Sequence, residues 1–143
     1  MTISRKLKSS SDLVLIVDDE PEILEEMSDW LELLGISNCV SQSVPDAISC
    51  LNRNKSIRLV ISDIRMPSMD GYDLIRHCSG LGGQRTPIDF IVVTGHLTQQ
   101  DRTRIAGFGV QRVLAKPADL DELEAMVLEA LARTVGSGAE TDG

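Results

Sequence analysis

The sequence predicts an α/β fold: a doubly wound, five-stranded parallel sheet with five helices, layered as a three-layer sandwich. Three observations predict it. Short runs rich in Val, Ile and Leu alternate with segments of helical spacing along most of the 143 residues. Several runs are apolar at consecutive positions, the pattern of strands buried on both faces. The connections between elements are short, as in successive β-α units.

The elements follow in order. "LVLIV" (13–17) is the first strand. Ile23, Met27, Leu31 and Leu34 then recur at helical spacing, with Pro21 near the start and Gly35 just past the end. "SNCVS" (37–41) is a weaker strand. Ser43 caps a helix running to about Asn54, with Ala47, Ile48 and Leu51 facing in. "RLVIS" (58–62) is the third strand, and 72–81 the third helix, broken by "GGQRTP" (82–87). "IDFIVV" (88–93) is the fourth strand. Residues 98–108 form a weaker, polar helix, and "RVLA" (112–115) a short fifth strand. Asp119 caps a last helix over 120–133, with Leu123, Val127, Ala130 and Leu131 inward. Residues 1–11 are polar and serine-rich, as in a flexible arm, and "GSGAETDG" (136–143) has the composition of a flexible tail or linker remnant. One domain, 12–135, lies between them.

The bulk numbers narrow the function. A hydrophobic content of 42% suits a single core, and four Phe, Trp and Tyr residues make it an aliphatic one. A formal charge of −8 repels phosphate backbones and anionic lipid, so direct nucleic-acid or membrane binding is not expected. Cys39, Cys50 and Cys78 are odd in number and lack CxxC spacing, so they read as small core hydrophobes in a reducing cytoplasm. No secretory signal precedes residue 12, and no apolar run is long enough to span a bilayer.

Open α/β sheets bind ligands at the carboxyl ends of their strands. After the first strand come Asp18 and Asp19, after the third Asp63, after the fourth Thr94, Gly95 and His96, and after the fifth Lys116 and Pro117. Each has an ordinary reading by itself. Asp18 and Asp19 could favour a helix dipole, Asp63 could be a turn acid, Thr94 a turn cap and Lys116 a solvated lysine. Arg65 and His96 could simply be solvated. Their joint occurrence, each at its own strand end, argues for chemistry. Carboxylates gathered in one pocket repel unless a cation joins them. Hard oxygen ligands with room for water favour Mg²⁺. A lysine can neutralise a carboxylate or an incoming phosphoryl group, and the hydroxyl and N–H at Thr94–Gly95 can hold a phosphoryl oxygen. Phosphoryl transfer needs little beyond such positioning and charge stabilisation.

"VLIVDDEPEIL", "LVISDIRMPSMDGYDLI", "IVVTGH" and "VLAKPADLDEL" closely resemble the receiver domain of bacterial two-component response regulators over about residues 12–133. The resemblance implies a flavodoxin-like fold and a phosphorylation-dependent switch rather than a turnover enzyme. Asp63 would accept a phosphoryl group from the phosphohistidine of a sensor histidine kinase or a phosphotransfer domain. Asp19, Asp63 and the main-chain carbonyl of Arg65 would ligate Mg²⁺, with Asp18 acting through water. Thr94 would swing toward the phosphoryl group, Lys116 would pair with Asp63, and the Lys116–Pro117 peptide would be cis. Arg65 and His96 would govern access of hydrolytic water and so the lifetime of the phosphoryl group. Met66 and Met69 would pin the loop to the core, Pro67 and Gly71 would set its turn, and Asp70 would cap the helix that follows. An effector, an absent output domain or a homodimer would receive the signal. Arg102 and Arg104 could pair with Asp121, Glu122 and Glu124 of a second copy, or simply be solvated.

One position departs from the family pattern. Three residues before the lysine, where receivers usually carry an aromatic, stands Val113. Valine has no large inward and outward rotamers to exchange, so the output face should change through backbone movement of the weak fourth helix. Rival functions fit less well. A haloacid dehalogenase-like phosphohydrolase needs a second acid two residues after its nucleophile, where Arg65 stands. A nucleotide-binding module needs a glycine-rich loop after a strand, and "GGQRT" follows a helix. A non-phosphorylated scaffold would not need every chemical position intact.

Overall fold

The computed structural model describes residues 12–66, 70–80 and 87–142, with side chains through 132. The expectations for the arm at 1–11, for Pro67 and Met69, and for most of the "GGQRTP" break lie outside the described residues. The strands are β1 (Val14–Val17), β2 (Asn38–Ser41), β3 (Leu59–Ser62), β4 (Asp89–Thr94) and β5 (Arg112–Ala115). They alternate with helices α1 (Pro21–Leu33), α2 (Val44–Arg53), α3 (Gly71–Ser79), α4 (Gln99–Gly107) and α5 (Leu120–Asp142). All four pairings are parallel, in the order β2-β1-β3-β4-β5. The doubly wound sheet is as the sequence predicts.

Alternation along each strand builds two cores. Leu15, Val17, Val60 and Val92 point to one face and pack with Ala47, Leu51, Leu74, Ile75 and Ile105 from α2, α3 and α4. Val14, Ile16, Leu59, Ile61 and Ile91 point to the other and pack with Leu24, Leu31, Leu123 and Val127 from α1 and α5. Both faces are covered, so a one-residue slip would exchange the side chains that each strand gives to the two cores and spoil the packing of both.

Helix ends follow the sequence closely. Gly35, with φ of 79°, closes α1 by donating its N–H to the Glu32 carbonyl at 2.9 Å. Ser43 accepts the Asp46 N–H, and Asp119 accepts those of Asp121 and Glu122. Asp70 caps α3 through the Tyr72 N–H at 2.8 Å. The main correction is at the end of the chain. The α5 backbone stays helical to Asp142, past position 133 and through the segment read as a tail. No proline interrupts 134–142, and a glycine within a helix costs only about 1 kcal/mol.

Met66 packs against the first core, and Trp30 at the margin of the second. Cys50 is buried, Cys39 and Cys78 are half-buried, and the Cys39 and Cys50 thiols share a hydrogen bond at 3.1 Å without forming a disulfide. That contact joins β2 to α2 and was not legible in the cysteine spacing.

Gly71 is where the chain comes closest to itself. A Cβ there would lie 2.5 Å from both the Asp63 carbonyl oxygen and the Ile64 Cα. Only glycine lets α3 begin directly against the end of β3. Gly71→Ala is therefore expected to destabilise the fold by about 2 kcal/mol or more. Gly107→Ala, where a Cβ would meet nothing within 4 Å, should be neutral or stabilising. Urea midpoints of the two variants check the contrast.

Candidate functional site

The strand order makes β1 and β3 neighbours and sends β2 to the opposite side of β1. The site forms where the winding reverses, at the carboxyl ends of β1 and β3. Asp18 follows β1 and is 3% exposed, and Asp63 follows β3 and is 6% exposed. Lys116, directly after β5, reaches across to both. Its Nζ donates to Asp18 Oδ2 at 2.7 Å and to Asp63 Oδ2 at 2.9 Å. Burial works against the charged lysine, yet the bonds and charges of Asp18 and Asp63 outweigh it and raise its pKa.

The second oxygen of each acid is also used. Asp18 Oδ1 accepts the Glu20 N–H at 3.0 Å, and Asp63 Oδ1 accepts the Arg65 N–H at 2.8 Å. Asp18 thus bonds the residue before α1 without capping the helix, while its other oxygen faces the lysine. Lys116 is oriented from its backbone, donating its N–H to the Thr94 carbonyl at 2.8 Å. The Lys116–Pro117 peptide is cis. Thr94 is fully buried, and its hydroxyl meets no hydrogen-bond partner among the described residues. At the end of β4, the strand beside β3, an orphaned buried hydroxyl is a donor held without an acceptor.

An open cavity of about 1240 Å³ lies over these groups, bordered by Asp19, Asp63, Arg65, His96, Asp101 and Lys116. Asp18 instead borders a smaller, apolar cavity with Ile23, Met27 and Leu123. Among the described residues no three His, Cys, Asp or Glu side chains close into a metal-holding group. The donor set nevertheless suits Mg²⁺, which keeps several waters and takes only one or two carboxylates besides a substrate's phosphate oxygens. One ammonium against Asp18, Asp19 and Asp63 leaves the pocket negative by simple count.

The site also holds a cluster the sequence did not reveal. Asp101, on the first turn of α4, is 6% exposed. It accepts the Tyr72 hydroxyl at 2.8 Å and the Thr98 N–H at 3.1 Å, and its own N–H donates to Thr98 Oγ1 at 3.0 Å. The Arg65 guanidinium is paired with its Oδ2. The Arg104 guanidinium lies over the Tyr72 ring, 3.8 Å from its centroid, rather than projecting freely. Burial would raise the Asp101 pKa, but the bonds from Thr98 and Tyr72 and the Arg65 charge outweigh it and push it down to about 2. Burial and the bond to Asp101 push the Tyr72 phenol up to about 12. The signal in the sequence was Thr98-x-x-Asp101, a capping box, which the structure forms in full. Its links to Tyr72 and Arg65 depend on tertiary packing. Val113 is half-buried against the first core.

A family model described as the response regulator receiver domain matches residues 14–128. The chain belongs to this family. Membership makes it a phosphoacceptor signalling domain of two-component systems. The receiver is 32% identical over 124 residues to the sensor histidine kinase RcsC of Salmonella typhi, covering 86% of this chain and 13% of that protein. It is 35% identical over 128 residues to the response regulator Rre1 of Synechocystis, covering 87% of this chain and 53% of that one. The chain therefore spans only part of either relative. The crystal structure of a response regulator receiver protein from Pseudomonas putida superposes with a TM-score of 0.76 at 31% identity, over 85% of this chain and 99% of that one. Among the described residues no helix of the receiver is long and apolar enough to cross a membrane.

Asp101→Asn keeps the shape of the cluster and removes its charge. A depressed carboxylate contributes stability above its ordinary value of 3.8 that is lost as pH falls through about 2. The variant is expected to lose about 1–3 kcal/mol at pH 7. The deficit should be unchanged down to pH 4 and should close toward pH 2, as chemical unfolding across that range would register.

Proposed function

We propose that this receiver is a phosphorylation-operated switch whose acceptor is Asp63 and whose donor is the phosphohistidine of a sensor histidine kinase or phosphotransfer domain. The observation that carries the reading is the Lys116 ammonium bridging Asp18 and Asp63 at the strand ends. Asp18, Asp19, Asp63 and the Arg65 carbonyl would hold Mg²⁺, which when bound offsets the charge gathered on the transferring phosphoryl oxygens.

The chain's own residues do the rest. An Asp63 carboxylate oxygen attacks phosphorus as the N–P bond of a phosphohistidine protonated on its other ring nitrogen breaks, so an O–P bond forms, the N–P electron pair stays on nitrogen and a neutral imidazole leaves. Lys116 holds that carboxylate in place and then faces a phosphoryl oxygen. Thr94, with its hydroxyl unpartnered, donates to another. The Arg65 N–H on Asp63 Oδ1 fixes the carboxylate plane at 2.8 Å. His96 and Arg65 are exposed on the cavity wall where water would approach, and on this reading they set the lifetime of the acyl phosphate. Receivers of this kind turn over only their own phosphoryl group. Output passes through the face around α4 and β5, to an effector, an output domain or a second copy. With Val113 at the position usually aromatic, movement of α4 carries that output.

Acetyl phosphate or a phosphorylated kinase should label the wild-type chain once per molecule. Asp63→Asn should abolish the label, and Lys116→Ala should slow labelling roughly a hundredfold. Chelation of divalent ions should slow it by a factor of roughly ten or more. Labelling that survives Asp63→Asn would assign the acceptor elsewhere. Sizing before and after labelling reports the homodimer.

A further inference from the structure

Arg65 is tied to the acceptor at one end and to α4 at the other. Its N–H donates to Asp63 Oδ1, and its guanidinium is paired with Asp101 Oδ2. The two ends of that ion pair are not equal. The Asp101 side chain is 8% exposed and keeps the Tyr72 hydroxyl and the Thr98 N–H whether or not Arg65 is present. The Arg65 side chain is 47% exposed, on the wall of the cavity that Asp63 and Lys116 also border. Arg65 can therefore leave without orphaning Asp101, whereas Asp101 is fixed by its cap.

We propose that Arg65 is a phosphoryl-binding residue parked on Asp101, and that its guanidinium transfers to the phosphoryl oxygens when Asp63 is phosphorylated, uncoupling α4 from the loop that follows β3. The inference rests on the phosphoacceptor reading of Asp63. A phosphoryl group brings about −1.5 to −2 charge and acceptor oxygens within reach of the same residue's backbone. Asp101 offers one charge, already shared with two other donors. A guanidinium fork matches phosphate geometry and favours the group with more free lone pairs. The exchange couples the acceptor to α4 through a side chain, in a receiver whose Val113 lacks the usual aromatic coupling. Asp101 acts here as a positioning residue: it touches Arg65 and not the reacting atoms.

The test is beryllofluoride binding in the presence of Mg²⁺, measured calorimetrically on the full chain. Competition predicts opposite signs. Asp101→Asn frees the guanidinium and should tighten binding, while Arg65→Ala should weaken it about fivefold or more. Arg65→Lys should fall between Arg65→Ala and wild type. A merely structural tether would shift Arg65→Ala and Asp101→Asn in the same direction, or leave both alone, and either result overturns the proposal. A second measurement needs no variant that must fold: the Arg65 Nε–H resonance of the wild-type chain should move when beryllofluoride binds. A resonance that stays in place while binding is evident would sink the exchange. Wild-type protein that binds no beryllofluoride would instead remove the phosphoacceptor reading itself, and the parked arginine with it.

Discussion

Lys116 is the charge around which the site is organised. Asp18 and Asp63 end neighbouring strands, both nearly buried, and their carboxylates would repel without a cation between them. The lysine comes from β5, two strands beyond β3 in the sheet. Its reach therefore ties the first, third and fifth strand ends into one electrostatic unit. The backbone bond from its N–H to the Thr94 carbonyl brings the fourth into the same unit. A buried ion pair is poor evidence for stability, because desolvation offsets much of the attraction. Its value here is specificity: a negatively biased pocket with one movable ammonium suits a chemistry in which negative charge arrives and leaves.

A second group of charges extends that pocket toward α4. Asp101 unites a helix cap, a buried phenol and an arginine from the loop after β3 in one carboxylate. The cap and the phenol bond are enclosed, while the arginine end is open to water and screened. The contrast between a fixed acid and a loosely held base distinguishes the α4 side of the pocket from the α1 side, where Asp18 is held by both Glu20 and Lys116.

The doubly wound sheet was legible because the signals were redundant. β1 is apolar at every position and β3 at all but its last, Ser62, and a turn or cap residue bounds each helix. Asp18, Asp63, Thr94 and Lys116 could be singled out because an open sheet presents its strand ends on one edge, so position along the chain stands in for position in space. Asp101 and Tyr72 carry no such marker. They sit within helices 29 residues apart, and only the packing of α3 against α4 brings the hydroxyl to the carboxylate. The Cys39–Cys50 contact was hidden for the same reason, since spacing rules apply to local motifs and this one spans a strand and a helix. The helical run past 133 escaped because glycine-rich composition signals a helix stop only weakly without a proline or an αL cap.

The anchoring of α4 has a thermodynamic side. Of its nine residues only Asp101 and Ile105 are buried. The other helices on that face, α2 and α3, each bury four. A helix held by so few contacts opens at a lower free energy than the domain unfolds, as a separate cooperative unit. Native-state hydrogen exchange would place α4 on the low rungs of that ladder, with the strand amides near the top. The domain would thus carry a segment close to its own melting point inside a frame far from it, which lets a change of charge at one buried residue alter local order without endangering the fold.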